Sequence, residues 1–162
     1  MKAFRSSGII KSFLFTWACP GVLIHAVDTR LTDACEANQA EQIEAAFTAR
    51  ADLNASQVDG MTALHWACYH DETELAGRLL DLGANVNARN RYGISPLYLA
   101  CLNGNESIVK LLLSEDVDPN TAINGGESAL MTAARTGKID TVSALIKAGA
   151  DLDATERNEQ TA

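Results

Sequence analysis

Thr62-Ala63-Leu64-His65-Trp66-Ala67-Cys68 returns as Ser95-Pro96-Leu97-Tyr98-Leu99-Ala100-Cys101 and again as Ser128-Ala129-Leu130-Met131-Thr132-Ala133-Ala134, each copy 33 residues after the last with no insertion. Stepping back by the same interval reaches a weaker version, Thr29-Arg30-Leu31-Thr32-Asp33-Ala34-Cys35, and stepping forward reaches Thr161-Ala162. A fixed period of this length marks stacked repeats, in which one unit cannot bury its apolar face alone and gains a core only from its neighbours. Stacks of this kind work mainly by offering an extended surface to a partner. The period points to binding before catalysis.

The second half of each unit keeps the register: Arg50-Ala51-Asp52-Leu53-Asn54-Ala55, Gly83-Ala84-Asn85-Val86-Asn87-Ala88, Asp116-Val117-Asp118-Pro119-Asn120-Thr121 and Gly149-Ala150-Asp151-Leu152-Asp153-Ala154. Asp59-Gly60, Tyr92-Gly93 and Gly125-Gly126 fill the turn before each first helix. These blocks resemble ankyrin repeats, whose helical unit opens with a Thr-Pro-Leu-His-x-Ala pattern. The resemblance covers about residues 28 to 162 and implies an all-α solenoid of stacked antiparallel helix pairs joined by β-turn or hairpin-like loops. On that reading, residues 27–157 form the repeat domain, with a degenerate first repeat at 28–56, then repeats at 57–89, 90–122 and 123–155, and a further truncated repeat starting at 156–162.

Local chemistry agrees. Ser or Thr at 62, 95 and 128 is suited to cap a helix by accepting a bond from an unpaired amide, and Pro96 has a ring preset for the first turn and no amide proton to satisfy. The second helices carry apolar stripes at helical spacing: Leu75, Ala76, Leu79, Leu80; Ile108, Val109, Leu112, Leu113; Val142, Leu145, Ile146. Gly83 and Gly149 stand where a helix ends in left-handed backbone, cheap for glycine alone. Arg50 and Asp116 share that slot and are expected to be strained. Gly104 and Gly137 punctuate the short turn between paired helices.

All 21 acidic residues lie after residue 26, against 10 of the 13 basic ones, so the repeat region carries a formal charge of −11. Such a surface repels phosphate backbones and argues against nucleic acid as a partner; a well-solvated outer face is the favoured explanation of the charge, with a site for a basic protein partner as the alternative. Cys35, Cys68 and Cys101 occupy one repeat position. Neighbouring helices pack about 8–10 Å apart, whereas a disulfide needs α-carbons closer than about 7 Å, so these cysteines read as small buried hydrophobes.

The first 26 residues differ in kind. Lys2, Arg5 and Lys11 precede Phe13-Leu14-Phe15-Thr16-Trp17-Ala18-Cys19 and Val22-Leu23-Ile24-His25-Ala26. A basic start, a short apolar run and a small terminal residue describe a secretory signal peptide, with Val27 as the mature N-terminus and export to the periplasm or medium. Without that signal, the expected location is the cytoplasm. Pro20-Gly21 makes the run a poor membrane span, and Thr16-Trp17-Ala18-Cys19 only faintly resembles a lipoprotein cleavage site. Contact with a membrane is expected only through an uncleaved N-terminal segment.

His65, Cys68 and His70 invite a metal reading, since imidazole and thiolate bind zinc. The resemblance places His65 at the structural histidine of the turn, with Cys68 in the stack and His70 facing solvent. No nucleophile elbow, Cys-x-x-Cys pair or phosphate loop followed by Lys is present. The expectation is a non-catalytic scaffold with no cofactor, no metal and no small-molecule substrate. By resemblance, partners meet the turn tips and the exposed side of the first helices: Val58, Asp59, Met61, Trp66, Tyr69 and His70; Arg91, Tyr92, Ile94, Leu102 and Asn103; Asn124, Glu127, Arg135 and Thr136. Trp66, in the slot of Leu99 and Thr132, reads either as core packing or as an aromatic anchor. Arg89 and Arg91 are placed to meet acidic groups on a partner. The alternative is that the chain is the repeat portion of a longer exported protein or enzyme.

Overall fold

The repeated stripes fold into helices at the repeated positions. In the computed structural model, which describes residues 28–156, the order is α1 Arg30–Glu36, α2 Ala40–Thr48, α3 Ala63–Tyr69, α4 Thr73–Asp81, α5 Pro96–Asn103, α6 Glu106–Ser114, α7 Ala129–Thr136 and α8 Ile139–Lys147. The first helices α1, α3, α5 and α7 pack on one another in a row, and α4, α6 and α8 form a second row behind them. No strand forms among the described residues; the loops contribute two single antiparallel bridges, Ser56 with Thr62 and Ala122 with Ser128. No described helix is long and apolar enough to cross a membrane. The signal-peptide reading of residues 1–26 and, apart from Glu156, the further repeat at 156–162 lie outside the described residues.

The register becomes a core. Leu31, Leu64, Leu97 and Leu130 are all buried, as are Ala34, Ala67, Ala100 and Ala133 and, in the second row, Ala46, Leu79, Leu112 and Leu145. Cys35, Cys68 and Cys101 are buried and unpaired. Burial raises the Cys35 and Cys101 thiols to about 12 and pushes Cys68 higher still. Ala134, the fourth member of that column, is exposed. Where α2 meets α4, Arg78 lies 4.2 Å over the Phe47 ring and pairs with Glu44.

The caps form as their residue types dictate. Ser95 Oγ accepts from the Tyr98 amide and Ser128 Oγ from the Met131 amide, each at 3.2 Å. At Thr62 the His65 ring takes part instead: its Nδ1 accepts from the Thr62 amide at 3.2 Å, which leaves Nε2–H to donate to the Ile94 carbonyl at 3.0 Å. Burial holds the His65 pKa below the ordinary value for histidine. The equivalent slots also reach the next turn, with Thr32 Oγ1 donating to the Ala55 carbonyl at 2.7 Å and the Tyr98 hydroxyl to Glu127 at 3.3 Å.

Helix exits hold one correction. Gly83 and Gly149 have positive φ, and so does Arg50 at 54°. Asp116 does not: α6 ends through Glu115 in extended backbone (φ −101°, ψ 117°), so the chain leaves the helix without a left-handed residue. Between paired helices, the slot of Gly104 and Gly137 is filled earlier by Asn38 and Asp71 at positive φ, residue types whose short polar side chains tolerate that conformation.

Candidate protein-binding surface

The turn tips are stitched to one another before they face anything else. The Arg91 amide donates to the Asp59 carbonyl at 2.8 Å, and one repeat later the Asn124 amide donates to Tyr92 at 2.9 Å. Contact is so close that a Cβ on Gly60 would sit 2.9 Å from the Asn90 α-carbon, and one on Gly93 would sit 2.9 Å from the Asn124 amide nitrogen. Side chains reinforce this stitching. The Arg91 guanidinium donates to the Val58 carbonyl, and Asn124 Nδ2 donates to the Arg91 carbonyl at 3.0 Å. Arg89 reaches the other way, to the Ala122 carbonyl at 3.1 Å and Thr121 Oγ1 at 2.9 Å. Arg89, Arg91 and Asn124 thus hold neighbouring repeats together.

A second ladder runs along the C-terminal ends of the first helices. Asn103 Nδ2 donates to the Tyr69 carbonyl at 2.7 Å, and His70 Nε2 lies 3.0 Å from the Glu36 carbonyl. His70 is consequently half-buried rather than fully solvent-facing. Met61 is also displaced from the expected surface. It is only 7% exposed, and its sulfur accepts from Asn90 Nδ2 at 3.4 Å. It begins the apolar run of its helix, and the turn folds over it. Asp59 Oδ1 accepts the Met61 amide at 3.0 Å, while Ile94 and Thr136 are half-buried and Leu102 is exposed. Glu127 gathers Thr132, Arg135 and the Tyr98 hydroxyl about its carboxylate.

Aromatic groups remain on the exposed side of the first helices. Trp66 stands edge-on to Tyr69, with ring centroids 5.6 Å apart at 90°, and stacks on His70 at 5.9 Å and 23°. Its Nε1–H donates to Gln57 Oε1 at 2.9 Å. Trp66 is half-buried and packs against the core, so it serves packing and still contributes to the surface. Tyr69 is 49% exposed, Tyr92 58% and Val58 94%.

Beside them, a cavity of about 740 Å³ opens between α1 and the first turn tip, lined by Asp33, Glu36, Gln57, Val58, Asp59 and Trp66 among others. Gln57 Nε2 bridges two carboxylates there, donating to Asp33 at 3.0 Å and Glu36 at 2.6 Å. Sequence reasoning missed Asp33, Glu36 and Gln57. The signal was available: counting back 33 from Trp66 and Tyr69 lands on Asp33 and Glu36.

Two overlapping stretches, residues 26–123 and 85–156, match the family profile described as Ankyrin repeats (3 copies). Comparison with curated proteins gave no match.

Proposed function

Because the chain belongs to the ankyrin-repeat family, whose members generally mediate protein–protein interaction, we propose that it is a non-catalytic scaffold that docks one partner protein on its first-helix face and turn tips. The observation that carries this is the aromatic group of Trp66, Tyr69 and His70, together with Tyr92 and Val58 exposed at the turn tips, mounted on a backbone held by inter-repeat bonds. Trp and Tyr supply large contact areas with few rotatable bonds, which limits the entropy lost on docking. The buried thiols, raised by desolvation, are unsuited to act as nucleophiles. The acidic balance of the repeat region speeds encounter with a basic partner at low salt.

Trp66→Ala and Tyr92→Ala test the face. Both are expected to weaken capture of a partner from host extract while leaving the helical spectrum unchanged. If both retrieve the same proteins as wild type in the same amounts, the face is wrongly assigned. The basic start and short apolar run before Ala26 further support export, with Val27 as the new N-terminus. Mass spectrometry of protein from the native host is expected to find that terminus, and an intact Met1 in the soluble cytosolic fraction contradicts it.

A further inference from the structure

We propose that the groove between α1 and the first turn tip receives a cationic side chain, arginine or lysine, from a partner segment whose neighbouring bulky apolar side chain rests on Trp66 and Tyr69. This rests on the scaffold reading above and specifies the chemistry of its partner.

The argument begins with equivalent slots. Along the stack one slot holds Asp33, Trp66, Leu99 and Thr132, and the next exposed row holds Glu36, Tyr69, Leu102 and Arg135. Leu99 and Thr132 are buried, so the first slot reaches the surface only as Asp33 and, in part, Trp66, while the second row is exposed throughout and passes from acidic through aromatic and apolar to basic. Asp33, Glu36 and Asp59 all line the cavity, and none is in an ion pair among the described residues. Arg91, the cation in that lining, is directed at the Val58 carbonyl. At the far end Arg135 is already paired with Glu127. Carboxylates without an ion-pair partner thus gather around the groove between α1 and the first turn tip.

Asp33 and Glu36 converge on the single amide nitrogen of Gln57. A guanidinium or ammonium group supplies the same N–H donors with a full positive charge, and charge-assisted bonds are stronger than neutral ones. The Trp66 indole also lines the groove and offers apolar surface to the methylene stem of such a side chain. The cavity, at about 740 Å³, is large enough for a whole arginine side chain and part of its neighbour.

The probe is a phage-displayed library of random dodecapeptides selected on the full chain, followed by affinity measurements on the recovered peptides. Recovered sequences are expected to pair Arg or Lys with a large apolar residue. Their affinity is expected to fall about five- to tenfold on Asp33→Asn/Glu36→Gln, consistent with losing two solvent-exposed charge pairs, and that difference should shrink as salt is raised. Both positions are exposed and both substitutions keep an oxygen acceptor for Gln57, so the fold is retained. Peptides weakened by Trp66→Ala but indifferent to the double carboxylate substitution overturn the cationic groove and leave the scaffold reading standing. Recovery of no peptide weakened by Trp66→Ala or Tyr92→Ala overturns both.

Discussion

Replacing Leu97 by Ala removes three carbons from a fully buried position in the middle of the stack. Leu97 is fully buried in α5, with α3 packed on one side and α7 on the other, and its counterparts Leu64 and Leu130 belong to the same core cluster. Transfer of three methylene-sized groups accounts for about 2.4 kcal/mol at about 0.8 kcal/mol each. The cavity adds to this because helices flanked on both sides cannot collapse into it, placing the expected loss at about 3–4 kcal/mol. Leu97→Met, which preserves most of the volume, should cost under about 1.5 kcal/mol. Urea denaturation followed by far-ultraviolet circular dichroism measures both. A loss below about 1 kcal/mol for Leu97→Ala would mean that the repeats do not stack through this column.

Cys35, Cys68 and Cys101 should react with a thiol reagent in native protein far more slowly than in urea, because burial raises all three thiols; rapid native modification of all three contradicts their placement. His65 is held neutral in the fold, so the unfolded chain binds the extra proton first, and stability should decline as pH falls through the unfolded value near 6.5 toward the lower folded value. Denaturation midpoints at pH 7.5 and 5.5 check the sign, and an unchanged or higher midpoint at pH 5.5 refutes it. Thr141 is buried with its hydroxyl unpartnered, in the slot that Leu75 and Ile108 fill elsewhere; Thr141→Val should stabilise the protein by about 1 kcal/mol, and a destabilised variant would show that the hydroxyl has a partner.

The helices were legible because each stripe recurs at a fixed interval, and even the weak first unit forms a full pair, α1 and α2, at the predicted offset. The caps at Ser95 and Ser128 were legible because capping depends on residues three apart in sequence. The turn ladders were not. Arg91, Asn103 and Asn124 bond to backbone about 33 residues away, and a polar side chain at a turn looks the same in sequence whether it faces a partner or the next repeat. Met61 was misplaced for a related reason: it sits at the boundary between turn and helix, where one residue decides between surface and core. The exit of α6 through Glu115 differs from its counterparts although Asp116 keeps the register.

The central claim, that a partner seats on the first-helix face, is tested most directly by photo-crosslinking in host extract. A photoreactive amino acid would replace Tyr69, Tyr92 or, as a control, Leu82, which is exposed at the end of the second-row helix α4. The account predicts the same discrete adduct from positions 69 and 92 and none from 82. Adducts of equal yield from all three positions, or none from 69 and 92, would contradict it.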